Sequence, residues 1–453
     1  MRAASRFRSR VWLGPLAFAA VFAIAFAVAW LIPPDQSPDE HSHLARAYMI
    51  SRGHWLLDSP PGRNSGGMAD SGFTSFLEAH WGIAMDAKVR LSDELQGRIA
   101  ALRWGQPEKF YIIPGTGYYV PLIYAPHALG LWLGQALNLG IAHSYQLVRA
   151  LCLLSCLGLL AWAFRLLRPP VIASALLLLP MTLFQMLSPT LDGVTTCLAV
   201  LALSIFCRRL LGKEDLPGAY VWILAVSVAL LASSRAQLLP LLGFSFYLAW
   251  SRRSKRDFVA GLAALLVSAA WTAYALTHTV DLRMRRAQST GELLRHYAAH
   301  PDAFFKIVFD SLADHDLGTG YARSFIGVLG WLDTLLPEWS YQALWIGLGL
   351  CAAASLLAAR PPAVFARATL AVAAVAGAGL VFLAMLVTWT IHPATVVNGV
   401  QGRYFIVPAI ILAYAIGAAV TPRGPRWPGW LVLCATAGVS FYAFIVALVA
   451  RYH

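Results

Sequence analysis

The run VWLGPLAFAAVFAIAFAVAWLI at residues 11–32, followed at once by PPDQSPDEHSH at 33–43, decides how this chain is read. About twenty apolar residues suffice for a helix to cross a bilayer. Pro33 and Pro34 end the run, because proline cannot continue the backbone ladder. Asp39, Glu40, His41 and His43 therefore stand at a membrane–water boundary. So dense a set of ionisable groups fits chemistry at the membrane face, and by charge alone it fits a loop returning to water equally well. The run is too long for a cleavable signal and no small-residue cleavage site closes it, so it reads as a retained span. Arg2, Arg6, Arg8 and Arg10 precede it and place the N-terminus in the cytoplasm.

Composition extends this reading to the whole chain. The 453 residues are 58% hydrophobic and only 13% charged, about half the charged share of a soluble domain. Backbone groups in lipid must be satisfied within the spanning element, and no ten-residue alternation suggests a barrel. The expectation is an all-α polytopic membrane protein with a single integral domain over residues 1–453. The net charge of +13 sits mostly in short loops, where it marks cytoplasmic sides rather than a nucleic-acid partner. Cys152, Cys156, Cys197, Cys207, Cys351 and Cys434 all lie in or beside apolar runs, so neither a disulfide framework nor a cysteine metal site is expected.

Apolar spans are read at 11–32, 119–139, 146–164, 170–187, 193–207, 218–232, 236–250, 258–277, 341–359, 368–390, 404–420 and 428–450. Two long polar loops, 33–118 and 278–340, separate them and carry amphipathic stretches. Residues 293–312 mix aromatics with charges, as suits a helix lying on the membrane surface. The basic loops at 208–213, 251–257, 360–367 and 421–427 read as cytoplasmic. Loops 33–118, 278–340 and 391–403 then face outward, with Asp192 and the C-terminal residues. Three apolar segments lie between loop 33–118 and Asp192, where an even number of crossings is needed. One of 119–139, 146–164 and 170–187 must fail to cross, and 119–139, with Pro121, Pro126 and His127, is the candidate. About eleven crossings result. The alternative is that Arg165 and Arg168 break the statistical charge rule.

The polar clusters all fall on the outward face: Asp39/Glu40/His41/His43 with Arg46, Ser188/Asp192, Ser233/Ser234/Arg235/Gln237, Gly330-Trp-Leu-Asp333, and 392–405 with Gln401, Arg403 and Tyr404. A carrier more often places polar groups mid-membrane. Asp39 and Glu40 are neighbours and do not share a helix face, which leaves one as a general base and the other to bind a metal or fix a neighbour. His43 follows Asp39 by one helical turn, a spacing that suits a divalent ion on Asp39, Glu40 and His43 or an ionised carboxylate. The same residues also read as the capped start of a helix. Arg403 offers phosphate a planar fork, and Gly402 permits close approach by a ligand or another backbone. Arg235 is a second anion candidate. Both arginines also read as snorkelling interface residues. Arg283, Arg285 and Arg286 read as a solvated or headgroup face, and Trp331, Tyr111, Tyr118, Tyr119 and Tyr124 as an interfacial belt.

Pro38-Asp-Glu-His-Ser-His43 with Arg46-Ala-Tyr48 resembles the opening signature of a large family of bacterial polytopic membrane proteins of unknown function. Its usual form is Pro-Asp-Glu, two variable positions, His, and a nearby Arg-Ala-Tyr. Phe325-Ile-Gly-Val-Leu-Gly-Trp-Leu-Asp333 and Gly399-Val-Gln-Gly-Arg-Tyr-Phe405 resemble its later signatures, in the same order, across about residues 20–420. That family resembles a branch of the GT-C glycosyltransferases, which use polyprenyl-phosphate-linked sugars on the periplasmic or luminal side. The resemblance implies a GT-C-like fold in the bacterial inner membrane and Asp39 as the loop-one carboxylate and base. It gives Glu40 and His43 signature positions without an assigned role, and makes Asp192 the second acidic position. The signature segments carry no clear Asp-X-Asp motif, which argues against a nucleotide-sugar donor and an obligatory metal.

The expected function is an inverting transfer from a polyprenyl-phosphate sugar to a cell-envelope glycan or lipid, with Asp39 and Glu40 as catalytic carboxylates. Arg403 and Arg235 would meet the donor phosphate, and His43, Arg46, Asp192, Asp333, Gln401 and Tyr404 would complete the pocket. The expected partners are membrane lipid, donor and acceptor, and a divalent cation is the one cofactor left open. The alternatives are a polyprenyl-diphosphate glycan ligase or polymerase, and a non-catalytic lipid-glycan transporter.

Overall fold

A computed structural model describes residues 14–86, 88–90, 92–211, 216–284, 287–358, 364–418 and 427–453. Arg2, Arg6, Arg8, Arg10, Lys213, Arg285, Arg286, Arg360, Arg423 and Arg426 lie outside the described residues. The chain begins with α1 (Pro15–Ala29), and α2 (Glu40–Ser51) follows the Pro33-Pro34 break. The first long loop continues through β1 (Gly66–Asp70), α3 (Ser71–Met85), α4 (Asp93–Ala101) and β2 (Glu108–Ile112). Next come α5 (Ala125–Ala136), α6 (Ile141–Leu166), α7 (Val171–Leu177), α8 (Pro180–Leu187), α9 (Leu191–Leu211) and α10 (Ala219–Ala232). A 3-10 segment Ala236–Leu242 leads into α11 (Gly243–Arg252), then α12 (Lys255–His278). The second long loop holds α13 (Thr290–Ala299), α14 (Pro301–Ala313), α15 (His315–Gly327), β3 (Val328–Leu329) and β4 (Thr334–Leu335). Closing the order are α16 (Glu338–Ala358), α17 (Val364–Thr388), a 3-10 turn Gly402–Phe405, α18 (Ile406–Gly417) and α19 (Trp427–Tyr452).

Among the described residues six helices are long and apolar enough to cross a membrane: α6, α9, α12, α16, α17 and α19. Pro15–Ala29, Ala219–Ala232 and Gly402–Gly417 are shorter apolar helices. Helix α9 sits at the centre, with 89% of its most apolar window buried, as befits a helix apolar all round. The stretch 170–187, read from the sequence as one span, breaks at Leu178–Leu179 because Pro180 opens α8 without an N–H to give. The carbonyls this leaves are met by hydroxyls: Thr182 Oγ1 donates to Leu176 at 2.8 Å, and Ser440 Oγ donates to Leu178.

The helix ends sort into two sets. At one end Arg209 of α9 pairs with Asp257 of α12, Arg252 Nη1 donates to the Arg209 carbonyl at 2.6 Å, and Gly417 lies against Pro170 and Ser355. At the other end the two long loops meet. Ser65 N donates to Val280 O at 2.9 Å, Trp331 Nε1 to Asp35 O at 3.0 Å, and Arg451 Nε to Asp333 Oδ2 at 2.8 Å. Helix α5 keeps both its ends there. Tyr124, just before it, bonds His43, and Leu139, just after it, accepts from Trp104, which stacks on Tyr48 of α2. Twelve residues give α5 a length of roughly 18 Å, well short of a ~30 Å hydrocarbon core.

The loops correct the all-helical expectation in detail. Strands β1 and β2 pair antiparallel, from Gly66 with Ile112 to Asp70 with Glu108, and β3 pairs with β4. Gly66 and Gly67 are weak strand formers, so no strand was legible there. The amphipathic stretch 293–312 is two helices, split at Pro301, with Phe305 and Phe309 exposed one turn apart on α14.

Candidate functional site

Asp39 holds the N-cap position of α2 but not the usual cap conformation. Its backbone is left-handed, with φ +66°, and its side chain makes no capping bond. Aspartate tolerates this region better than most residues, and here it turns the carboxylate away from the helix end. Oδ2 instead faces Arg403 Nη2 at 3.4 Å. Arg403 Nη1 faces Asp192 Oδ2, also at 3.4 Å, and Asp192 Oδ1 accepts from Arg235 Nη2. Gln185 Nε2 adds a third contact to Asp192 at 3.3 Å. Residues 39, 192, 235 and 403 thus converge from four separate parts of the chain into one chain of charge, Asp39–Arg403–Asp192–Arg235.

Local sequence explains the placement. Gly402 lies so close to α15 that a Cβ would collide with Phe325 N and the Tyr321 carbonyl, and its N–H donates to Ser324 Oγ at 2.8 Å. The glycine therefore serves another backbone, and that contact sets Arg403. Gly193 does the same for Asp192: a Cβ there would stand 2.6 Å from the Gln185 carbonyl, so α8 can press onto the first turn of α9.

The four groups differ in access. Asp39 has 55% of its side chain exposed, Asp192 13%, Arg235 14% and Arg403 4%. Burial works to raise the Asp39 pKa, but Arg403, His43 and Arg235 outweigh it and leave the group below the ordinary carboxylate value. Burial likewise opposes the charge on Arg235, and Asp192, Tyr119, Tyr404 and Asp39 reverse that and raise it. The Nε atoms of Arg235 and Arg403 are buried and have no hydrogen-bond partner. The guanidinium of Arg403 lies over the Tyr404 ring at 5.2 Å, and that of Arg235 over Tyr119 at 5.0 Å. Gln401 Oε1 is a further buried atom without a partner.

His43 lies on the same face of α2 and shares a 2.9 Å hydrogen bond with the Tyr124 hydroxyl. Burial pushes its pKa down to about 3 against the pull of Asp39, so the ring is neutral at physiological pH. Arg46, a turn further on, is 1% exposed; Nη2 donates to Trp55 O at 2.6 Å, while Nε and Nη1 have no partner.

Glu40 goes elsewhere. It is fully buried, accepts from Asp35 N at 3.0 Å, Ser37 N at 3.1 Å and Tyr145 Oη at 2.7 Å, and is raised by burial although Arg149 opposes the shift. Arg149 in turn bonds Tyr145 Oη at 2.5 Å and the carbonyls of Ala29 and Ile32 at 2.9 Å each. This relay fixes loop 33–39 between α1 and α2, so Glu40 positions Asp39 and does not join it. Asp333 is also apart, paired with Arg451. A divalent ion on Asp39, Glu40 and His43 does not fit: Glu40 is turned into its own hydrogen-bonded relay, and Arg403 faces Asp39. Among the described residues no three His, Cys, Asp or Glu side chains converge.

Two residues read as an interfacial belt belong to the site. The Tyr119 hydroxyl accepts from Arg235 Nη1 at 3.4 Å, and Tyr124 is fully buried on His43. Their signal was proximity to Pro121, which breaks the segment and turns it back onto α2.

A family model described as Predicted membrane protein (DUF2142) matches residues 21–413. No curated protein and no solved structure matches the chain. The match covers most of the sequence, and the chain belongs to that family of membrane proteins.

Proposed function

For this member of the DUF2142 family we propose an inverting, GT-C-type transfer of a sugar from a polyprenyl-phosphate donor to a cell-envelope glycan or lipid. The carrying observation is the convergence of Asp39, Arg403, Asp192 and Arg235, with the accessible carboxylate at one end and uncommitted guanidinium N–H groups beside it. An acceptor hydroxyl gives its proton to Asp39 and attacks the anomeric carbon. The bond from that carbon to the phosphate oxygen breaks, and the phosphate leaves with the electron pair. Arg403 and Arg235 meet the charge that develops on it. A depressed pKa makes free Asp39 a ready but weak acceptor. A phosphate bound by the two arginines weakens their hold on Asp39 and brings its own negative charge, and both effects raise the basicity of Asp39 when the donor is present.

In the same reading the protein lies in a bacterial inner membrane, N-terminus cytoplasmic, site and C-terminal residues periplasmic. It makes eleven crossings: α1, α6, the α7–α8 pair, α9, α10, 236–252, α12, α16, α17, Gly402–Gly417 and α19. Residues 119–139 remain at the outer surface. The sorting of helix ends supports this count.

A polyprenyl-diphosphate donor is the second reading, and Arg46 favours it. A buried guanidinium whose Nε and Nη1 have no partner suits a further anionic group. Comparing membrane lipids and envelope glycans of wild-type, deletion and Asp39→Asn cells by mass spectrometry tests both. A missing glycosyl unit with accumulated donor in both deficient strains is expected, and the donor's mass separates monophosphate from diphosphate. An Asp39→Asn strain with a wild-type profile would refute the mechanism and raise the transporter reading.

A further inference from the structure

A second feature at the site end of the molecule lies outside the charge cluster. A groove of about 720 Å³ opens between the end of α2, the end of α4 and the turn joining α5 to α6. Arg52, Arg103, Trp104, Gln135, Asn138 and His143 line it, and no carboxylate does. Arg103 is held at the rim by bonds from Nη1 to the carbonyls of Ala100 at 2.5 Å and Leu102 at 2.9 Å, which leaves its Nη2 for a ligand. Gln135 Nε2 is buried and has no partner. The first turn of α6 forms part of the wall, and no side chain caps that helix end. Uncapped amides and the helix dipole there favour negative charge.

The groove's level in the fold points to its occupant. Helix α6 is a candidate span, so its first turn stands where hydrocarbon gives way to headgroups. On the α5 side Trp132 is 55% and Leu137 63% exposed, an apolar rim suited to acyl chains. Cationic lining, absence of carboxylates and an apolar rim at headgroup level complement one ligand class. We infer that this groove is a binding site for an anionic phospholipid headgroup, with Arg52 and Arg103 on the phosphate, Gln135 as a further donor and the acyl chains along α5. It is independent of the proposed transfer chemistry.

Native mass spectrometry of the full-length protein, titrated with phosphatidylglycerol or phosphatidylethanolamine of matched chains, tests this. The wild type is expected to retain phosphatidylglycerol preferentially. Each arginine near a membrane surface contributes on the order of a fivefold preference, so Arg52→Gln with Arg103→Gln is expected to weaken that binding roughly thirtyfold. The double lysine variant is expected to keep most of it. Both groove arginines are at the surface, and an unchanged melting temperature confirms that the variants fold. Equal retention of the two lipids by the wild type, or undiminished phosphatidylglycerol on the double Gln variant, overturns the inference.

Discussion

Two buried arginine–aspartate clusters stand at opposite ends of this molecule, built from the same residue types and put together differently. At the far end Arg209 sets Nη1 and Nη2 on the two oxygens of Asp257, the second at 2.9 Å, and both side chains are under 10% exposed. At the site end two arginines are shared between two aspartates, both Arg403 contacts are stretched to 3.4 Å, two Nε atoms lack partners, and Asp39 is open. The first pair is complete in itself and locks α9 to α12. The second leaves the Nε atoms of Arg235 and Arg403 without partners, the capacity that the proposed phosphate would use.

Exchanging amides for carboxylates should expose this difference. Asp39→Asn is expected to lower turnover by roughly 10²–10⁴ with little change in melting temperature, measured in a reconstituted transfer assay beside calorimetry. Asp257→Asn is expected to do the reverse. It strands the Arg209 charge and costs about 3–5 kcal/mol of stability, while the folded fraction turns over normally. Arg403→Gln, measured as donor binding, is expected to lose roughly 2 kcal/mol, about thirtyfold.

Smaller effects sharpen the comparison. Glu40→Gln keeps the shape of the loop anchor but loses one acceptor, so a stability loss of about 1–3 kcal/mol is expected together with reduced turnover. Calorimetry and the transfer assay should move together here, unlike at Asp39.

Asp35 lies behind the same loop, and burial raises it from 3.8 to about 7, against the bonds from His41. A raised carboxyl costs stability progressively above its unfolded pKa, and the full cost is reached once pH exceeds the folded value. Asp35→Asn should therefore stabilise more at pH 8 than at pH 5, by a difference on the order of a few kcal/mol at most. An Asp39 pKa below the ordinary value has the opposite sense: kcat/KM should show no acid limb from Asp39 above about pH 4.

Much of this arrangement was legible in the chain. Hydropathy located the apolar segments, and charge at their ends nominated Asp39, Asp192, Arg235 and Arg403 before any contact was visible. Proline and histidine early in 119–139 marked the segment that stays at one end. What escaped depends on tertiary contact. The pairing of Gly66–Asp70 with Glu108–Ile112 joins residues about forty apart with little strand propensity. Adjacent Asp39 and Glu40 look alike in sequence, and only the left-handed turn at Asp39 and the Tyr145–Arg149 relay separate their tasks. Asp333 looked like a site residue until Arg451, more than a hundred positions away, was seen to complete it. Tyr119 and Tyr124 looked like interface aromatics because a hydroxyl's partner is not written in the residues beside it.

The most direct measurement titrates polyprenyl monophosphate into the purified full-length protein, its Arg403→Gln/Arg235→Gln variant and its Asp257→Asn variant. Binding by wild type and Asp257→Asn, with the double variant weakened a hundredfold or more (about 3 kcal/mol over two charged contacts), is the predicted result. Equal binding by all three would contradict the claim that the open cluster is held in reserve for a phosphate.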